Sequence, residues 1–192
     1  MCSWCWGYRP TLNKLLAKLP ADVTVEYVLG GLAPDNDEAM PAEMRDAIEG
    51  YWRKIQNLLG TEFNFAFWHQ CQPRRDTYKA CRAVIAARAE GMDLAMLDAI
   101  QRAYYLRAMN PSDIDTLVIL AQELGLDAAS FRARLLSEET DSQLQKEINL
   151  GRQWQIQGFP ALVLQVDERR YALPVDYQDE EVTLKVLKGL HH

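Results

Sequence analysis

Roughly 80 consecutive residues of this 192-residue chain carry helical periodicity with no strand pattern among them, and strand-like segments lie on both sides. The block follows the aromatic stretch EFNFAFW and divides into short pieces. DTYKACRAVIAARAEG has Asp76 or Thr77 as its N-cap and Gly91 as its stop, and MDLAMLDAIQRAYYLRAMN ends before Pro111. SDIDTLVILAQELGL is expected to start at a Ser112 cap and end near Gly125, DAASFRARLLS starts at Asp127, and DSQLQKEINLGRQWQI runs toward Gly158. Short amphipathic pieces separated by a few residues predict a small helical bundle.

Upstream of it, Leu12, Leu15, Leu16 and Leu19 fall at helical spacing, so a helix is predicted from about Cys2 to Leu19, stopped by Pro20. Val23, Val25, Tyr27 and Leu29 then alternate up to the Gly30-Gly31 pair, which predicts a strand, and Val28 on the other face suits a central one. Pro41 opens a further helix to about Leu59, closed by Gly60. Downstream, Ala161 to Val166 reads as a buried strand, Glu168-Arg169 as a turn, Tyr171 to Leu173 as a second arm and DEEVTLKVLKGL as a final helix. The order helix, strand, helical block, strand, strand, helix predicts an α/β chain.

Composition narrows the function. Hydrophobic residues make up 48% and charged residues 25%, enough for one compact unit with a core. The longest apolar runs, Leu117 to Ala121 and Ala161 to Leu164, fall far short of the roughly 18 residues a membrane helix needs, so no membrane partner is expected. Lys and Arg total 21 against 27 Asp and Glu, a net charge of -6 that argues against a nucleic-acid partner. His191 and His192 read as a tag remnant, leaving His69 as the one internal histidine, a surface or satisfied core residue in its ordinary role. Gly-rich phosphate loops and nucleophilic serine elbows are absent from the sequence. The Tyr104-Tyr105 pair and its neighbouring methionines fit a bundle core.

The four cysteines then carry the argument. Cys2 and Cys5 form a Cys-X-X-Cys pair, which serves either zinc or redox chemistry. Zinc requires two further ligands, and only Cys71, Cys81 and His69 are on offer. Cys81 falls in a helix beside Ala80, Ala83 and Val84, the setting of a buried and inert thiol, so no metal is expected. Cys71 is expected on a loop as a free thiol, with a bond to Cys81 or a second redox centre as alternatives. Redox chemistry instead requires the first cysteine at a helix N-terminus, where unpaired N–H groups and the helix dipole stabilise a thiolate. Cys2 occupies that position, as nucleophile, and Cys5 one turn later is the resolving thiol.

CSWCWG opening a helix, together with GFP at residues 158–160 just before a strand, hairpin and terminal helix, resembles the thioredoxin superfamily. The helical block resembles the insertion of its DsbA-like branch, and the wider pattern, including DTYKACRAVIAA, is similar to the FrnE-like proteins of that branch, proposed protein-disulfide isomerases. The resemblance implies a thioredoxin-like domain over residues 1–60 and 156–190 and an inserted all-helical domain over residues 61–155. It implies a cis Phe159-Pro160 bond packed against the dithiol, and an apolar rim of Trp4, Trp6 and Phe159, with Trp6 equally suited to packing within the fold. The expected substrate-binding residues are thus Trp4, Phe159 and Pro160. The implied activity is thiol-disulfide exchange or isomerisation on protein and peptide thiols, with glutathione a candidate partner and no cofactor.

Two departures stand out. The superfamily carries a strand immediately before the active-site helix, and only Met1 stands there; the expectation is that the true N-terminus lies further upstream. The Ser3-Trp4 dipeptide lacks the histidine of strongly oxidising members, which points to a milder oxidant, an isomerase or a reductase. Two alternatives share the architecture. Glutathione-dependent isomerases and transferases of the kappa or 2-hydroxychromene-2-carboxylate type use a serine where Cys2 stands, and a peptide-binding chaperone would not need the thiols. A cytoplasmic location is expected, since no signal peptide is visible and the thiols suit a reducing compartment.

Overall fold

The computed structural model describes residues 1–190. His191 and His192, read as a tag remnant, lie outside the described residues. The elements run α1 (Ser3–Ala17), α2 (Ala42–Leu59), α3 (Phe67–Gln70), α4 (Tyr78–Arg88), α5 (Asp93–Leu106), α6 (Ile114–Glu123), α7 (Ala128–Leu135), α8 (Glu138–Gln153), β1 (Leu162–Val166), β2 (Arg169–Leu173) and α9 (Glu180–Leu190). No helix among the described residues is long and apolar enough to cross a membrane.

The helices begin and end where local chemistry requires. Asp127 accepts the Ser130 N–H at 2.8 Å and starts α7, and Ser137 caps α8 by accepting the Thr140 N–H at 3.2 Å. Two expected caps work differently. Thr77 stands at the N-cap of α4 without capping it, because its hydroxyl is spent on Ala33, accepting its N–H at 2.8 Å and donating to its carbonyl at 3.0 Å. Asp113 takes the cap position of α6 in place of Ser112, whose hydroxyl donates to the Asp76 carbonyl at 3.3 Å.

The hairpin β1-β2 pairs antiparallel, Leu162 with Leu173 through Val166 with Arg169, and forms a two-stranded sheet. The strand predicted over Val23 to Leu29 is not one: the segment is irregular and pairs with neither β1 nor β2. Alternating apolar residues make a segment competent for a sheet, but a strand exists only where a neighbour completes the ladder. Side chains of the helical block hold this segment instead. The Glu147 carboxylate accepts the Leu29 N–H at 2.6 Å, while Arg88 pairs with Glu147 and reaches the Tyr27 carbonyl at 3.5 Å.

The core has two main parts. Ala83, Ala87, Met96, Ile100, Leu117, Leu120, Phe131 and Leu135 fill the space among α4 to α7. The other part is aromatic, with Trp52 of α2 at its centre and ring centroids of Phe63, Phe67, Trp68, Tyr104 and Tyr105 within 5.8 Å of it. Trp52 is wholly buried, so truncation to alanine removes a full aromatic contact set. Trp52→Ala is expected to cost about 3–5 kcal/mol and lower Tm by roughly 6–20 °C in thermal unfolding, with Trp52→Phe much milder.

Candidate active site

Cys2 is the N-cap of α1, with extended backbone at φ -93° and ψ 106°. That geometry turns its sulfur back over the first turn, where Sγ accepts the Cys5 N–H at 3.2 Å. The Cys5 thiol also donates to Cys2, and this bond, with the backbone N–H groups of Cys5 and Trp4, outweighs burial and lowers the Cys2 pKa to about 7. The same bond, followed by burial, pushes Cys5 far up, since its proton is the one being shared. The pair is therefore polarised, with a ready thiolate at Cys2 and a held proton at Cys5. All four cysteines are free thiols.

The Phe159–Pro160 peptide is cis, and in its protonated form the Cys2 thiol donates to the Phe159 carbonyl at 3.6 Å. Residues 157 positions apart thus meet at the dithiol. The Phe159 ring is half-buried and rests on Gly30: a Cβ there would lie 2.1 Å from its Cε1 and Cζ.

The tryptophans divide their work. Trp6 stacks on Tyr105 at 5.4 Å and 14°, and its Nε1 donates to the Glu62 carbonyl at 3.1 Å, bracing α1 against the helical block. Trp4, half-buried, meets Tyr177 edge to face at 5.2 Å. Tyr177, on the loop before α9, was not singled out from sequence; its backbone carbonyl accepts the Thr11 hydroxyl at 2.6 Å, tying that loop to α1.

The remaining thiols lie elsewhere. Cys71 donates to the Ala108 carbonyl at 3.0 Å, and burial raises its pKa. Cys81 is pushed up to about 11 by burial, as suits an inert thiol. His69 is exposed at the end of α3. Among the described residues no three His, Cys, Asp or Glu side chains come together as metal ligands.

A family model for the DSBA-like thioredoxin domain matches residues 1–181. The chain belongs to the DSBA-like thioredoxin domain family. Its fold is the thioredoxin-like one with a helical insertion. Among similar solved structures, a Nitrosomonas europaea protein proposed to be a protein disulfide isomerase is 27% identical, with a TM-score of 0.84 over 98% of this chain and 92% of that one. The cytosolic disulfide reductase DsbM from Pseudomonas aeruginosa is 25% identical, with a TM-score of 0.79 over 100% and 95% of the two chains. The curated relatives include the ClpXP adapter protein SpxH of Halalkalibacterium halodurans, 23% identical over 85% of this chain and 55% of that protein. The chain thus spans about half the length of the curated relatives it matches, since the Bacillus subtilis SpxH is covered over 54%.

Proposed function

We propose that this DSBA-like chain is a thiol-disulfide oxidoreductase acting on protein or peptide disulfides, with Cys2 as nucleophile and Cys5 as resolving thiol. The observation that carries the reading is the polarised pair: Cys2 at the α1 N-cap has a pKa lowered to about 7, while Cys5 keeps its proton. The Cys2 thiolate attacks one sulfur of a substrate disulfide, forming a mixed disulfide and releasing the other substrate sulfur as a thiolate that takes a proton from solvent. Cys5 then loses its proton and attacks Cys2 Sγ, releasing the second substrate thiol. The substrate gains two electrons and the protein becomes the Cys2-Cys5 disulfide; the reverse sequence oxidises a substrate dithiol.

Trp4, Phe159 and Pro160 form the substrate-binding surface in this proposal. Proline has no N–H to donate, and the Phe159 main chain beside it pairs with an extended substrate strand. Support for thiol and disulfide substrates includes the likeness to DsbM, of which a form with glutathione is also similar, at a TM-score of 0.79. The likeness to a protein described as cytosolic supports a cytoplasmic location. The intact Cys2 disfavours the serine-dependent glutathione isomerases.

Equilibration in glutathione buffers, followed by counting free thiols, tests the proposal. A single two-electron transition between about -270 and -120 mV is expected, and its loss in Cys2→Ser assigns it to the pair. If the wild-type protein has no such transition, the oxidoreductase reading fails.

The lowered pKa carries its own expectation. The rate of Cys2 alkylation should follow the thiolate and reach half its plateau near pH 7. A thiol whose folded pKa lies below its unfolded value adds stability that is fully present above the unfolded value and is lost as pH falls through the folded one. The reduced protein should therefore lose this contribution on acidification through about pH 7, and Cys2→Ala should not show that component.

A further inference from the structure

Trp4 stands directly before Cys5, and its ring carries a cation: the Lys54 ammonium of α2 lies 6.0 Å from the ring centroid. The other edge of this rim is Tyr177, 5.2 Å from Trp4. Gln178, next in the chain, donates from Nε2 to the Leu58 carbonyl of α2 at 3.4 Å, so α2 and the Tyr177 loop are linked beside the dithiol.

The charge on this rim is unbalanced. The other cations of α1 and α2 are engaged: Arg9 pairs with Asp98, Arg53 with Glu49, and Lys18 with Glu180 and Glu181. Lys14 also faces Glu180, and Arg45 donates to the Trp68 carbonyl. The nearest acid on the Tyr177 loop, Asp176, turns one oxygen to the Gln178 and Asp179 N–H groups at 2.8 and 2.9 Å. Lys54 is exposed and has no carboxylate partner among the described residues.

We infer that Lys54 is a specificity-determining residue that selects disulfides carrying a carboxylate close to the attacked sulfur. The inference rests on the dithiol exchange proposed above. Trp4 stands next to Cys5 in α1 and its ring meets Tyr177, so an ammonium over that ring sits beside the dithiol, where it attracts an anionic substituent of an incoming disulfide and repels a cationic one. The exchange itself is unchanged: reduced protein and one disulfide give the Cys2-Cys5 disulfide and two substrate thiols.

The test mixes the reduced protein with an excess of each of three small disulfides: anionic 3,3′-dithiodipropionate, neutral bis(2-hydroxyethyl) disulfide and cationic cystamine. Second-order rate constants are read for the wild type, Lys54→Gln and Lys54→Glu, with the neutral compound as reference. Comparing variants on one compound cancels its intrinsic reactivity. The anionic-to-cationic rate ratio should fall about three- to fivefold in Lys54→Gln and about tenfold or more in Lys54→Glu, the scale of exposed charge pairs. At about 0.5 M salt the difference between variants should largely vanish. An unchanged ratio in both variants, or an equal loss on all three compounds, overturns the inference while leaving the dithiol exchange standing. Failure of the wild type to reduce any of the three would instead sink the exchange itself.

Discussion

Cys5→Ala is expected to accumulate a mixed disulfide between Cys2 and substrate, visible by mass spectrometry, and to turn over too slowly to measure in a steady-state disulfide reduction assay. Two effects combine. The resolving thiol is gone, so the first exchange has no intramolecular successor. The donor that stabilises the Cys2 thiolate is also gone, and its bond is the largest cause of the lowered pKa of about 7. Returning Cys2 to the ordinary thiol value near 8.5 would cut the thiolate fraction at pH 7 by roughly fifteenfold. Cys5→Ser separates the two effects, because a serine hydroxyl can still donate to Cys2 but cannot resolve a disulfide. It should trap the same adduct, with a Cys2 pKa between those of the wild type and Cys5→Ala. A pKa that stays near 7 in Cys5→Ala would show that the helix N–H groups alone hold the thiolate.

Gly30→Ala is expected to destabilise the fold and disturb the dithiol together. The added carbon would sit 2.1 Å from two atoms of the Phe159 ring, well inside van der Waals contact, so the ring must leave its seat. Overpacking of this kind costs about 1–3 kcal/mol, which lowers Tm by roughly 2–12 °C in a chain of this size. Function should suffer as well if relief of the clash shifts the Phe159 main chain, whose carbonyl lies 3.6 Å from Cys2 Sγ. Adding Phe159→Ala in the Gly30→Ala background removes the clash and should recover part of the lost Tm. If the double variant is as unstable as the sum of the two single ones, the ring contact is not the cause. Gly31 is constrained independently, by φ +57° and by Ile148 Cδ1, which a Cβ would approach to 2.4 Å.

Both expectations concern contacts of different reach. Cys2 and Cys5 were legible as a pair at a helix N-terminus because their spacing puts them on one helical turn, and the N-cap position follows from the same local pattern. Pro160 was found through the resemblance, since the motif alone cannot say what the loop packs against. The rings of Tyr104 and Tyr105 fell correctly into a core by their periodicity, whereas Trp52, the centre of that core, was not singled out from sequence. Trp6 was legible as either rim or brace, and its contacts with Tyr105 and Glu62 brought out the brace.

The helical segments, the dithiol and its place at the head of α1 were thus determined by the sequence, because capping, i to i+4 spacing and the helix dipole all act within a few residues; their ends were not, since α5 stops at Leu106 and Asp113 takes the cap of α6. The tertiary structure alone decided that residues 23–29 stay unpaired, that Gly30 seats the Phe159 ring, and that Tyr177 and Lys54 flank Trp4. A strand ladder, a close approach and a through-space charge each require a partner remote in the chain, and no local pattern specifies where that partner will stand.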